Sequence, residues 1–154
     1  MKNFRALTLL ALVWGVSFSC QTYSDEDLSN FDKEIKTYVQ KQPEKFEKTE
    51  SGLYLSIENE GEGEEFIKFT DKVTFCYSGK LLNGQVFDQC SKENPVTFET
   101  RVLIDGWKEA FSSLKKGGKA KLVVPPQLGY ADSKLDKVPA NSVLIFDVEI
   151  LDVE

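Results

Sequence analysis

Apolar and polar positions divide the chain into three textures. Residues 6–18 are almost uniformly apolar, with no polar face. Lys2 and Arg5 precede this run and small residues surround Cys20, which is the arrangement of the basic, hydrophobic and cleavage regions of a secretory signal. The run is too short to span a bilayer, and its uniformity sets it apart from an amphipathic buried helix. Further on the period becomes helical. Leu28, Phe31, Ile35, Tyr38 and Val39 fall on one stripe, Asp25, Glu26 and Asp27 place negative charge ahead of it, and Pro43 stops the pattern. The spacing predicts one amphipathic helix over 28–41. Its polar face is mixed in sign, so the stripe reads as a dock on its own domain or a weak dimer contact rather than a membrane surface.

From Gly52 onward short alternating runs separated by turn residues predict an antiparallel sheet. Strands are expected over 53–57, 73–81, 86–88, 96–100, 119–124 and 143–153. Within the second, Val73, Phe75, Tyr77 and Leu81 share a face; within the last, Leu144, Phe146, Val148 and Ile150 oppose Asp147 and Glu149. Asn83-Gly84 is a strong hairpin signal and predicts a two-residue type I′ turn. Glu60-Gly61-Glu62-Gly63 reads as a charged turn, and Pro125-Pro126 ends the strand before it. Residues 107–114 predict one short helix with Phe111 and Leu114 inward. The expected fold is α+β: a curved antiparallel β-sheet wrapped around one short α-helix, preceded by a signal segment and an N-terminal amphipathic helix.

A length of 154 residues allows one such domain, with 1–19 as signal, 20–50 as acidic linker and helix, and 51–154 as the folded unit. Charged residues at 29% and hydrophobic ones at 41% are ordinary for a globular chain, which makes a packed core the expectation. A net charge of −6 argues against nucleic acid. The one locally basic stretch, 115–121, flanks Gly117-Gly118 and reads as a solvated turn. Histidine is absent, which excludes Ser-His triads, Cys-His dyads and the commonest zinc ligand. Cys20, Cys76 and Cys90 lack the C-x-x-C spacing of metal clusters and dithiol redox centres.

Several separated blocks then take on meaning together: Tyr77-Ser78-Gly79 with Leu81, Gly84-x-x-Phe87-Asp88, Ile104-x-Gly106-Trp107, Gly118-Lys119-Ala120-Lys121-Leu122, Pro126-x-Leu128-Gly129-Tyr130, Val138-Pro139 and Phe146-Asp147-Val148-Glu149. In order and spacing they resemble the FKBP-type peptidyl-prolyl cis-trans isomerases over roughly 51–154. The resemblance implies an aromatic pocket that isomerises Xaa-Pro bonds of polypeptide clients, with no cofactor and no metal. Carried over by position, Trp107 would be the floor, Tyr77, Phe87 and Phe146 the walls, and Leu103 and Ile104 the base. Asp88 would stand at the rim, Tyr130 would offer its hydroxyl to a bound carbonyl, and Val138 would belong to a flap. Val96 and Phe98 would complete the substrate-binding side. Val96 stands where the family often has an aromatic residue, which thins one wall, and Ala131 stands where glycine commonly follows the tyrosine. Macrolide ligands are a further partner that the resemblance implies. Read without it, these aromatics are more simply core residues, because Trp and Phe on inner strand faces usually serve packing.

Ser17-Phe18-Ser19-Cys20 resembles a loose lipobox, which would make Cys20 a lipidated first residue; plain signal cleavage is the alternative. The acidic run Ser24-Asp25-Glu26-Asp27 resembles segments that follow the lipid cysteine in some Bacteroidota envelope and gliding-associated lipoproteins, and implies a membrane anchor, at the outer membrane on its periplasmic or surface side. A two-residue Asn83-Gly84 turn would set Cys76 one position from Cys90, where a bulge brings the sulfurs within reach of a disulfide. A semi-buried reduced pair is the alternative. Two functions are therefore open: an isomerase for secreted or envelope proteins, and a non-catalytic client-binding or scaffold module of an envelope machine.

Overall fold

The computed structural model describes residues 23–154, so the signal run, the lipobox and Cys20 lie outside the described residues. The first element is helix α1, Asp25–Val39. It begins three residues before the predicted start because Ser24 caps it: the Ser24 hydroxyl accepts from the Asp27 N–H at 3.2 Å while the Asp27 carboxylate accepts from the Ser24 N–H at 3.0 Å. At the other end, Lys41 and Gln42 donate to Tyr38 and Val39, a tightening of the last turn ahead of Pro43 that ends the α-helix before residue 41.

Seven strands follow: β1 Glu47–Lys48, β2 Tyr54–Asn59, β3 Lys72–Leu81, β4 Val86–Gln89, β5 Val96–Glu99, β6 Lys119–Val124 and β7 Leu144–Val153. They form one antiparallel sheet in the order β1-β2-β6-β7-β3-β4, with β5 sharing the outer edge of β3. Helix α2, Asp105–Phe111, lies against the inner face. Period-2 alternation decides which side chains meet it. Val73, Phe75 and Leu81 of β3, Ala120, Leu122 and Val124 of β6, and Leu144, Phe146, Val148 and Ile150 of β7 join Trp107, Ala110 and Phe111 in the main core.

The same alternation sends Tyr54, Val123 and Ile145 to the outer face, where with Val143 they form a second core beneath α1. Ile35 is fully buried there and Tyr38 and Val39 pack beside it, so the helical stripe docks on its own domain. Burial of these side chains, at about 25 cal/mol per Å² of apolar surface, gives the helix a stability that its isolated sequence lacks.

Two sequence expectations are corrected. The hairpin between β3 and β4 is not a two-residue type I′ turn. Leu81 pairs with Gln85, its N–H donating to the Gln85 carbonyl at 3.0 Å, and Gly84 donates back to Leu81 at 2.9 Å. Gly84 alone has positive φ (86°), and Asn83 uses its side chain to accept from the Gln85 N–H at 2.9 Å. This is a three-residue loop with a glycine bulge at Gly84, and a separate irregularity at Phe87, between Val86 opposite Lys80 and Asp88 opposite Gly79, shifts the register further along the pair.

The shift also decides the cysteines, which are both free thiols rather than a disulfide. Between the stretches of β3 paired to β4 and to β5, the backbone of Tyr77 faces no named strand on that edge. Cys90 fills the gap: its N–H donates to the Tyr77 carbonyl at 2.9 Å, and its sulfur accepts from the Tyr77 N–H at 3.1 Å and lies 3.8 Å from the Phe75 carbonyl. That sulfur is engaged with main chain instead of with Cys76.

Candidate functional site

Neighbouring strands and one helix converge on a ring of aromatic side chains. Tyr77 from β3, Phe146 from β7 and Trp107 from the first turn of α2 meet edge to face, with centroids 4.9 Å apart for Tyr77 and Trp107 and 4.8 Å apart for Trp107 and Phe146. Phe87 from β4 stands edge-on to Phe146 at 5.7 Å, and Phe75, fully buried, holds Trp107 from the other side at 5.1 Å. Space for the two phenylalanines is made by Gly79. A Cβ there would lie 2.7 Å from Phe87 Cζ and 3.0 Å from Phe146 Cε1. The indole N–H of Trp107 is buried without a partner among the described residues, which leaves an unsatisfied donor inside this ring.

Polar groups gather beside Phe87, at the edge of the ring. Phe87, Asp88, Tyr130, Leu135, Asp136, Lys137 and Val138 line a cleft of about 240 Å³. Tyr77 donates its hydroxyl to Asp88 Oδ2 at 2.5 Å, and the other oxygen of Asp88 accepts from the Gln89 N–H at 2.9 Å. Burial raises the Tyr77 hydroxyl well above the ordinary tyrosine range, and the hydrogen bond to Asp88 raises it further. Tyr130 is also pushed up, first by burial and then by the charge of Asp88. Both phenols therefore remain protonated donors at neutral pH. Tyr77 is committed to Asp88, whereas the Tyr130 hydroxyl makes no such bond among the described residues and is free to donate into the cleft.

Of the site residues expected from sequence, Phe87, Asp88, Tyr130 and Val138 share the cleft, and Tyr77, Trp107 and Phe146 form the aromatic ring that Phe87 joins. Leu103 is buried in the main core, with Ile104 and Val96 packed against it. Phe98 is 46% exposed on β5, its ring 6.4 Å from Phe75. Sequence reasoning missed Leu135, Asp136 and Lys137 as lining residues. Leu135, a lone apolar side chain in the polar stretch 132–137 and 42% exposed, was the signal that could have found them. Gly79 was missed as well, since its role lies in contacts with Phe87 and Phe146 that sequence spacing does not show. Ala131 has φ of 52°, a left-handed backbone that explains why glycine would suit the position.

A larger depression, about 630 Å³, opens on the outer face and is lined by Cys76, Cys90, Lys119, Lys121, Asp147 and Glu149 among others. Most of its charges pair with one another or with neighbours: Lys121 with Glu44 and Asp147, Lys119 and Lys92 with Glu149. The aromatic cleft instead sets the unpaired Tyr130 hydroxyl beside the apolar side chains of Phe87, Leu135 and Val138. Among the described residues no group of three or more His, Cys, Asp or Glu side chains could hold a metal ion.

Residues 63–151 match the family model for FKBP-type peptidyl-prolyl cis-trans isomerase. The chain is 45% identical over 108 residues to the FKBP-type peptidyl-prolyl cis-trans isomerase FkpA of Buchnera aphidicola subsp. Schizaphis graminum, covering 70% of this chain and 43% of that protein. It is 39% identical over 150 residues to FkpA of Escherichia coli strain K12, covering 96% of this chain and 55% of the relative. The crystal structure of FkpA from Escherichia coli superposes with a TM-score of 0.73 at 36% identity, covering 84% of this chain and 60% of that one. The chain thus spans about half the length of the curated relatives it matches.

Proposed function

Because the chain belongs to the FKBP-type peptidyl-prolyl cis-trans isomerase family, we propose that its cleft catalyses rotation about Xaa-Pro bonds in polypeptide clients. The observation that carries this reading is the aromatic ring of Tyr77, Trp107, Phe146 and Phe87, joined through Phe87 to the cleft that the protonated Tyr130 also lines. Prolyl isomerisation asks for little else. Rotation breaks amide resonance over a barrier of about 18–20 kcal/mol and needs neither nucleophile nor cofactor. An apolar recess strips water from the prolyl carbonyl, destabilising the charge-separated resonance form that keeps the amide planar. The Tyr130 hydroxyl then holds the carbonyl oxygen as the bond twists. Asp88, oriented by Tyr77 and Gln89, sets a fixed negative charge at the rim. Each tenfold in rate needs about 1.4 kcal/mol of binding realised only in the twisted state.

The pocket is proposed to take macrolides of the family's kind as well, with Val96 thinning one wall. The clients are proposed to be secreted or envelope proteins, and Cys20 a lipid anchor that holds the mature chain at a membrane. The sequence pattern ending at Cys20 supports the anchor; among the described residues no helix is long and apolar enough to cross a membrane. A protease-coupled peptide assay on the purified mature chain tests the catalytic proposal. Acceleration above the uncatalysed rate supports it, and a parent protein that leaves the rate unchanged overturns it in favour of a client-binding module.

A further inference from the structure

Two residues other than glycine have left-handed backbone among the described residues, Ala131 with φ of 52° and Asn141 with φ of 60°. They are the two ends of one hydrogen bond: the Asn141 N–H donates to the Ala131 carbonyl at 2.8 Å. This bond closes the neck of a loop, 131–141, that carries Leu135, Asp136, Lys137 and Val138 of the cleft. Its upstream end follows Tyr130 directly. Left-handed backbone is unfavourable for alanine and tolerable for asparagine, so such a neck persists only where its surroundings hold it.

What holds it comes from the far end of the chain. The Tyr23 hydroxyl donates to Asn141 Oδ1 at 2.7 Å, across 118 residues of sequence. Tyr23 is itself buried, and its ring stands edge-on to Phe31 of α1 at 5.3 Å. Helix α1 is in turn fixed to the outer face of the sheet through Ile35. Burial, then the charges of Asp132 and Asp27, push the Tyr23 hydroxyl upward, so it remains a donor at neutral pH. A chain of contacts therefore runs from the sheet through α1, Phe31, Tyr23 and Asn141 to Ala131, the residue after Tyr130, whose hydroxyl is proposed to meet the client carbonyl.

We infer that Tyr23 is a positioning residue for the isomerase site: through Asn141 it fixes the neck of the 131–141 loop, and with it the pose of Tyr130. The inference rests on the proposed isomerisation, but its first readout does not. Tyr23→Phe keeps the ring on Phe31 and removes only the hydroxyl. Hydrogen exchange of the Asn141 amide in the mature chain reports whether the neck is held. It should quicken about two- to tenfold, the worth of one neutral hydrogen bond, while amides of β6 and β7 and the melting temperature stay close to the parent. The turnover rate for Xaa-Pro peptides should fall by a comparable factor, with KM less affected. Asn141→Gly, which keeps the left-handed backbone and removes the acceptor, should have the same effect, and the two changes combined should add nothing further. An Asn141 amide that exchanges at the parent rate in Tyr23→Phe overturns the latch, as do additive losses in the double variant. Quickened exchange with parent-like turnover overturns the positioning role. A parent chain without isomerase activity would instead sink the functional reading, and the exchange result would still decide the latch.

Discussion

Tyr77 and Tyr130 show how a hydrogen-bond partner sorts two identical, similarly buried side chains into different roles. Tyr77 donates its hydroxyl to Asp88 at 2.5 Å and so belongs to the wall, whereas Tyr130 lines the cleft with its hydroxyl unpartnered among the described residues. Gly79 matters through what it lacks. In Gly79→Ala the added methyl would collide with Phe87 and Phe146, the latter fully buried and unable to swing away. The variant should lose about 1–3 kcal/mol, the range for overpacking a core. Its peptide isomerisation rate should fall with the displaced ring, while chemical denaturation reports the stability. These contacts were not legible in the sequence. Phe146 and Trp107 stood out by position in a family pattern, but that Gly79 makes room for two rings depends on β3, β4 and β7 pairing at one level, with Gly79 opposite both Asp88 and Phe146.

Elements with strong periodicity were readable in advance. The alternation of Leu144, Phe146, Val148 and Ile150 gave β7 its inner face, and the stripe ending in Ile35, Tyr38 and Val39 gave α1 its dock. Boundaries were set by local chemistry that the period does not contain, such as the Ser24 cap. The two-residue β1, Glu47–Lys48, has no apolar pattern at all; it exists through main-chain pairing with Tyr54 and Leu55 and was unreadable for that reason. For Asn83-Gly84, sequence favoured the shorter loop because glycine serves both turns, and only pairing of Leu81 with Gln85 separates them.

The dock of α1 also carries a charge device. Burial alone would raise the Asp32 carboxyl, but hydrogen bonds from Lys36, Lys48 and Tyr54 outweigh it and hold the group far below the ordinary carboxylate range. A carboxylate depressed in the folded state stabilises above its unfolded pKa of about 3.9, and that contribution drains away as pH falls below it. Asp32→Asn should therefore cost about 1–2 kcal/mol at pH 7, from one charged hydrogen bond and partly exposed ion pairs. The gap between variant and parent should narrow as pH drops through about 4 towards 2. Melting curves across that range check the sign: a gap that widens on acidification contradicts the role given to Asp32.

At the scale of the whole molecule, one sheet serves two purposes. Its inner face holds the aromatic ring of the proposed active site, and its outer face seats the helix that begins five residues after Cys20. If Cys20 carries lipid, Cys20→Ala should move the mature protein from membrane to soluble fractions on centrifugation; retention in the membrane would contradict the anchor. The measurement that bears most directly on the central claim is the rate of Xaa-Pro isomerisation for the parent, Tyr130→Phe and Phe87→Ala, read beside their melting temperatures. The parent should accelerate the reaction. Tyr130→Phe, which removes one neutral donor of about 0.5–1.5 kcal/mol, should lose about tenfold or less at unchanged melting temperature. Phe87→Ala should lose more and melt lower, because it removes a buried wall. Both variants isomerising proline at the parent rate would show that this cleft is not the catalytic site.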